Sequence, residues 1–160
     1  MFKPPQLLID SNYLCWRAHH STGGLSHNGR PTGVIYGFLR EITNLDRLFP
    51  GSPMIFCFDG PGEPVRLEIH PGYKANRKRM NKVERKTVQG QITELRTNLL
   101  GDLGYKNVFW QDGYEADDVI ALLAGFLSVS EAGADCGSIV VSADADLLQI
   151  LAPLVSIWNP

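Results

Sequence analysis

The chain has 160 residues, 44% of them hydrophobic, which suits one domain with a sizeable core. Its formal charge of −2 excludes a uniformly basic coat, yet eight of the 15 Lys and Arg lie between Arg66 and Lys86, so an acidic pocket beside a basic rim is expected. No charged segment followed by a long apolar stretch opens the chain, no apolar run approaches the ~18 residues of a membrane span, and the three cysteines lack metal-ligand spacing. Cys15, Cys57 and Cys136 therefore read as buried thiols of a reducing, cytoplasmic setting.

Strand-like and helix-like stretches alternate, which predicts an α/β fold with a mainly parallel sheet of about five strands and helices over it. The first strand, Leu7-Leu8-Ile9, ends in Asp10, and a short helix follows from Asn12 to His19. Ser21 to Pro31, with Gly23, Gly24, Gly29 and Pro31, reads as loop. Thr32 is the expected N-cap of a helix reaching about Phe49, with Val34, Phe38, Ile42 and Leu45 on its apolar side. The second strand, Met54 to Phe58, ends in Asp59. Gly60 to Lys82 is rich in Pro, Gly and basic residues without apolar periodicity, and connections of that length are usually functional. A helix from about Val83 to Leu100 follows, closed by Gly101 and Gly104. A third strand, Asn107 to Trp110, leads to a helix from Glu115 to Leu127, and a fourth, Ser138 to Val141, to a short helix from Ala145 to Leu151. Leu154 to Trp158 is the last strand. Trp16, Phe38 and Phe126 are expected in the core, and no repeat or inter-domain linker is evident.

Each of the first four strands leads into acids: Asp10, Asp59, the group Glu115, Asp117 and Asp118, and the pair Asp144 and Asp146. In an open parallel sheet, ligands bind beyond the carboxyl ends of the strands. Seven acids gathered there would repel one another unless cations neutralised them. Taken singly, some have a plainer reason to be present. Acids in the first turn of a helix contribute roughly 0.3–1 kcal/mol each, which covers Glu115, Asp117 and Asp118, and Asp144 or Asp146 could cap the helix after them. Asp10 and Asp59 directly follow apolar runs, where a buried unpaired carboxylate is expensive. Together the four groups point to a divalent-metal site. All-carboxylate ligation selects Mg²⁺ or Mn²⁺, one or two ions, over zinc. His19 and His20 read as surface residues or neighbours of ligands.

The basic segment narrows the chemistry. Tyr73, Lys74, Arg77, Lys78 and Arg79 combine an aromatic ring with closely spaced cations, which can hold phosphates while the ring stacks on a base. A basic run alone is more often a solvated loop. Beside a metal pocket, it is the equipment of phosphodiester hydrolysis.

Four runs carry a family resemblance: Leu7-Leu-Ile-Asp10, Phe56-Cys-Phe-Asp-Gly60 followed by Gly72-Tyr-Lys-Ala-Asn-Arg77, Gly113-Tyr-Glu-Ala-Asp-Asp118, and Ser142-Ala-Asp-Ala-Asp-Leu-Leu-Gln-Ile150. In order and spacing they resemble the 5′ nuclease family, which includes the 5′–3′ exonuclease domain of bacterial DNA polymerase I, phage 5′ nucleases and flap endonucleases. The resemblance extends from Leu7 to Pro160. It implies a three-layer PIN-like (resolvase-like) domain spanning 1–160 that hydrolyses DNA to 5′-phosphate products with Mg²⁺ or Mn²⁺. By motif, it implies that Asp10, Asp59, Glu115, Asp117, Asp118, Asp144 and Asp146 serve the metals. Lys74 and Arg77 would engage the scissile phosphate, and Arg66, Tyr73, Lys78, Arg79 and Lys82 would hold DNA. The stretch of about 62–86 corresponds to the family's arch, through which a single-stranded 5′ end passes. Family members continue into a helical-hairpin DNA-binding region with two further metal aspartates, which these 160 residues do not include. The expected partners are DNA with a 5′ end or flap and a separate helical-hairpin chain, in a bacterial or phage-infected cytoplasm and without a membrane. A PIN-like ribonuclease, or a catalytically weak module that binds metal and DNA ends, remain as alternatives.

Overall fold

A computed structural model describes residues 3–62, 65, 81–129 and 136–160. Its centre is a five-stranded, wholly parallel sheet of β1 (Gln6–Asp10), β4 (Met54–Cys57), β5 (Val108–Phe109), β6 (Ser138–Val141) and β7 (Val155–Trp158). The strand order is β5-β4-β1-β6-β7, so the chain builds outward from β1 on one side and then returns to build on the other. Leu7 lies opposite Met54 and Ile139, and Ile9 opposite Phe56 and Val141. Leu7, Leu8 and Ile9 are fully buried, as a central parallel strand covered on both faces requires.

Alternate side chains feed two cores. Leu7, Ile9, Phe56 and Val141 pack with helices α1 (Ser11–Thr22), α2 (Gly33–Leu48) and α3 (Lys82–Glu94). Leu8, Ile55, Cys57 and Val140 pack with α4 (Ala116–Val129) and a 3₁₀ turn, Ala145–Ile150. The result is the expected three-layer arrangement, with the five expected strands.

Several local expectations are corrected. The stretch read as loop contains a two-stranded hairpin, β2 (Ser26–His27) with β3 (Arg30–Pro31). Asn28 and Gly29 between them have φ of 50° and 75°, the tight-turn geometry for which Asn-Gly is the strongest sequence signal. Thr32 is the N-cap residue of α2, as expected, but its side chain makes no capping bond. Instead Gln91 of α3, itself buried, accepts the N–H groups of Val34 and Ile35 at 3.0 and 3.3 Å. The helix α3 does not run uniformly; it widens into a π turn, Leu95–Leu99, before a last α turn, Leu100–Asp102. Phe126 is 63% exposed, not in the core. The helix α4 is apolar on several sides; Ala116, Ile120, Ala124 and Leu127 are buried on its sheet-facing side, with Val119 and Leu123 packed beside them, which leaves Phe126 outward.

Gln91→Leu should destabilise the protein by about 1–3 kcal/mol, because two N–H groups at the start of α2 lose their acceptor and one of them is buried. Urea unfolding of the variant against the parent measures it.

Candidate metal centre

The first acid ends β1 and begins α1. One carboxylate oxygen of Asp10 accepts the Tyr13 N–H at 2.9 Å, capping the helix, and the other accepts the Ser142 hydroxyl at 2.9 Å. Ser142 in turn accepts the Asp144 N–H at 3.1 Å, which ties the exit of β6 to the exit of β1. Asp10 is buried, and its pKa is pushed up to about 6. Burial is the largest cause, the bonds from Tyr13 and Ser142 oppose it, and the charges of Asp59 and Asp144 add to it.

Asp59 follows β4 and is held by a reciprocal clasp. Asn12 donates its amide to Oδ2 at 2.6 Å and accepts the Asp59 N–H at 3.1 Å. The other oxygen, Oδ1, accepts the Ala116 N–H at 2.9 Å, the first residue of α4. Asp59 therefore sits on a helix N-terminus, where backbone N–H groups favour an anion. The backbone here is close-packed: a side chain at Gly60 would collide with the carbonyl of Gln111.

Glu115 is also buried, and its N–H donates to Oδ2 of Asp118 at 3.0 Å. Asp117 accepts the N–H of Asp118 at 2.9 Å, and Asp144 accepts that of Asp146 at 3.0 Å. Asp10, Asp59, Glu115, Asp117, Asp144 and Asp146 all line one cavity of about 230 Å³, together with Asn12, Tyr13 and Trp16. Asp118 does not line it.

Among the described residues, no three Asp, Glu, His or Cys side chains form a ready-made cage for an ion. The cavity offers carboxylate oxygens from the segments that follow four strands and neither imidazole nor thiol. That donor set fits a hard cation that keeps part of its water shell, as Mg²⁺ commonly does. The buried thiols are not competitors: burial pushes Cys57 up to about 12 and raises Cys15 well above the usual thiol value, with Asp10 adding to both. Cys136 is half-buried rather than buried as expected.

Lys82 is described and exposed, in the first turn of α3, and does not line the acidic cavity. Arg66, Tyr73, Lys74, Arg77, Lys78 and Arg79, with most of the expected 62–86 arch, lie outside the described residues. Gly62 and Arg85, which flank them, line a second cavity of about 460 Å³ that shares Asn12, Trp16, Asp59 and Glu115 with the acidic one. His19 bonds Glu84 at 3.2 Å and lines neither cavity.

Four participants had no sequence assignment to the site. Asn12 and Ser142 stand next to expected acids, and that adjacency was the available signal. Trp16, expected in the core, packs against it partly buried and also lines both cavities. Arg96, inside a helix, carried no sequence signal; its Nη1 donates to the Asp59 carbonyl at 2.7 Å.

The profile of the family described as "5'-3' exonuclease, N-terminal resolvase-like domain" matches residues 5–160. DNA polymerase I of Pseudomonas aeruginosa is 32% identical over 160 residues, covering 99% of this chain and 16% of that protein. A 5'-3' exonuclease of Bacillus subtilis is 33% identical over 156 residues, covering 94% of this chain and 49% of that one. The chain thus spans about half the length of that exonuclease relative and a far smaller share of the polymerase. A solved structure of bacteriophage T5 flap endonuclease, a complex with DNA and metal ions, superposes with a TM-score of 0.70 at 21% identity. That likeness covers 96% of this chain and 54% of the phage chain, and it establishes the shared fold.

The raised pKa of Asp10 has a stability consequence without metal. A carboxyl group whose folded pKa is raised contributes stability that is complete below its unfolded value near 4 and lost as pH rises through about 6. At neutral pH the ionised group therefore costs up to about 3 kcal/mol, from a shift of roughly two units. Asp10→Asn removes that charge while keeping an oxygen for the Tyr13 N–H. In EDTA it should stabilise the protein by about 1–3 kcal/mol near pH 7 and by little near pH 4, read by urea unfolding at the two pH values.

Proposed function

This chain belongs to the family of 5′-3′ exonuclease N-terminal resolvase-like domains, and we propose that it hydrolyses DNA at 5′ ends or 5′ flaps with Mg²⁺ or Mn²⁺, leaving 5′-phosphate products. The observation that carries the proposal is the convergence of six carboxylates, from the segments that follow four strands, on one cavity. Asp10, Asp59, Glu115, Asp117, Asp144 and Asp146 would hold one or two ions. Asp118, bonded to the Glu115 N–H, would orient Glu115. Ions bound there supply Lewis acidity toward the phosphoryl oxygens and lower the pKa of a coordinated water.

The chain's own residues do the rest. Asn12 fixes the direction of Asp59 by bonding both its carboxylate and its backbone N–H. Ser142 orients Asp10 by donating its hydroxyl to the carboxylate. Lys74 and Arg77 are proposed to offset charge developing on the scissile phosphate, and Arg66, Tyr73, Lys78, Arg79 and Lys82 to hold the strand. Without cations the carboxylate-lined cavity repels a phosphodiester, so metal must enter before or with the substrate.

DNA is the proposed partner, supported by the phage relative's complex with DNA and metal ions. A helical-hairpin DNA-binding unit, supplied by another segment or chain, is the proposed source of duplex contacts and of two further aspartates. No helix among the described residues is long and apolar enough to cross a membrane. A cytoplasmic setting is proposed, supported by the free thiols of Cys15, Cys57 and Cys136.

A 5′-flap DNA incubated with the protein and Mn²⁺ or Mg²⁺ should be cut, and EDTA should stop the cutting. Asp10→Asn should lower the single-turnover rate by roughly a hundredfold or more, since it removes one charge from the site while the fold gains stability. Cleavage that persists in EDTA, or at the parent rate in the variant, refutes the reading. Faster cutting of the same flap made of RNA would move the assignment to a ribonuclease.

A further inference from the structure

The helix α4 has an apolar face that neither core uses. Leu122, Phe126 and Val129 follow one another at i, i+4 and i+7 and are 73%, 63% and 84% exposed. They stand two residues on from Ile120, Ala124 and Leu127, about 200° around the helix, and so on the side away from the sheet. From Val119 to Val129 there is no ionisable side chain. The one hydroxyl in that stretch, Ser128, donates to the Gly125 carbonyl at 2.8 Å. Single exposed apolar residues are ordinary, whereas a continuous apolar face marks an interaction surface.

The shape of the face selects its occupant. It has no cation for a phosphate backbone, and none of its residues lines the acidic cavity or the larger one beside it. Gly125 lies between Leu122 and Val129 on this face, exposed, and a side chain there would meet nothing within 4 Å. A bulky ring, Phe126, therefore stands beside a hollow, Gly125, with an aliphatic residue at each end. Two such faces fit each other in opposite directions. Antiparallel, with a two-fold axis between positions 125 and 126, each Phe126 enters the Gly125 hollow of the other copy and each Leu122 meets Val129. Parallel, Phe126 would meet Phe126 and both hollows would stay empty.

The area is sufficient. The three side chains expose roughly 400 Å² per copy, close to the largest apolar patch of a typical monomer. Leu148 and Leu151, half-exposed on and after the 3₁₀ turn that packs beside α4, bring the total for two copies to about 1,200 Å², the lower limit of a stable interface.

We propose that α4 is the interface of a two-fold dimer of this chain, its helices packed antiparallel with Phe126 of each copy in the Gly125 hollow of the other. Ala116, whose N–H holds Asp59, begins α4, so the pairing directs the two metal centres to opposite ends, roughly 30 Å apart along the helices at 1.5 Å per residue. Both acidic cavities stay open, and the dimer does not depend on the nuclease reading.

Sedimentation equilibrium of the 160-residue protein tests it. At roughly 100 µM the mass should be twice the 17.7 kDa of one chain and should fall on dilution, as an interface of this size implies. Gly125→Glu fills the hollow and should raise the dissociation constant at least about thirtyfold. Urea unfolding of the dilute protein should find that variant no less stable than the parent, since Glu is the better helix former and has open space there. Phe126→Lys, a change at an exposed position, should dissociate the dimer as well. For the register, Leu122→Cys combined with Val129→Cys in a Cys136→Ser background should oxidise to a covalent dimer, while neither single variant does. Two turns of helix separate the two positions within one chain, too far for a disulfide inside it. A parent that stays monomeric overturns the proposal, even where a different protein covers the face. A dimer that survives both Gly125→Glu and Phe126→Lys overturns it too, because another surface then joins the copies. Cross-linking by either single cysteine variant overturns the antiparallel pairing.

Discussion

Repulsion among carboxylates crowded at one edge of the sheet is the constraint that the surrounding structure answers. Asp10 registers it directly, with a pKa near 6 produced by burial and increased by Asp59 and Asp144. Backbone N–H groups offset part of that repulsion. All five strands run parallel, so the strand ends and the helix starts lie at the same edge. Asp10 accepts an N–H at the start of α1, Asp59 one at the start of α4, and Asp144 one at the start of the 3₁₀ turn. Helix N-termini carry partial positive charge, which is what an anion at a strand end requires.

Residual repulsion is useful if cations are the intended guests. A site whose acids were fully neutralised by protein groups would gain little from binding metal. At Asp10 the neutralisation is partial, and an ion that enters relieves the strain there. Stability and function thus pull in opposite directions at this residue, a common arrangement at active sites. The amide of Asn12 and the hydroxyl of Ser142 orient the acids without adding charge, so they do not compete with the ion.

The helix α3 links this edge to the remaining architecture. Through Gln91 it completes the N-terminus of α2, and through Val88, Ile92 and Leu95 it joins the core around Phe38 and Phe56. Its π turn then presents Arg96 to the backbone of Asp59. A helix anchored on its buried side can hold a cation in a fixed position on the other. That fixed position is what distinguishes Arg96 from the exposed cations nearby.

The strand positions and six of the acids that line the cavity could be read from the sequence, because apolar runs and the polar residues that end them are local properties. Central parallel strands must be continuously apolar, so an acid directly after such a run announces its place at the sheet edge. The Asn28-Gly29 hairpin was equally local, and its signal was present though read as loop. What depends on the direction of a side chain, or on two distant segments meeting, became definite only in the tertiary structure. Asn12 reaches Asp59 across 47 residues and Ser142 reaches Asp10 across 132. The outward turn of Phe126, the absence of Asp118 from the cavity lining and the displacement of Arg96 by a π turn follow from how one helix face is selected by packing. A sequence specifies which residues can be buried or charged; the close-packed interior selects which of them face one another.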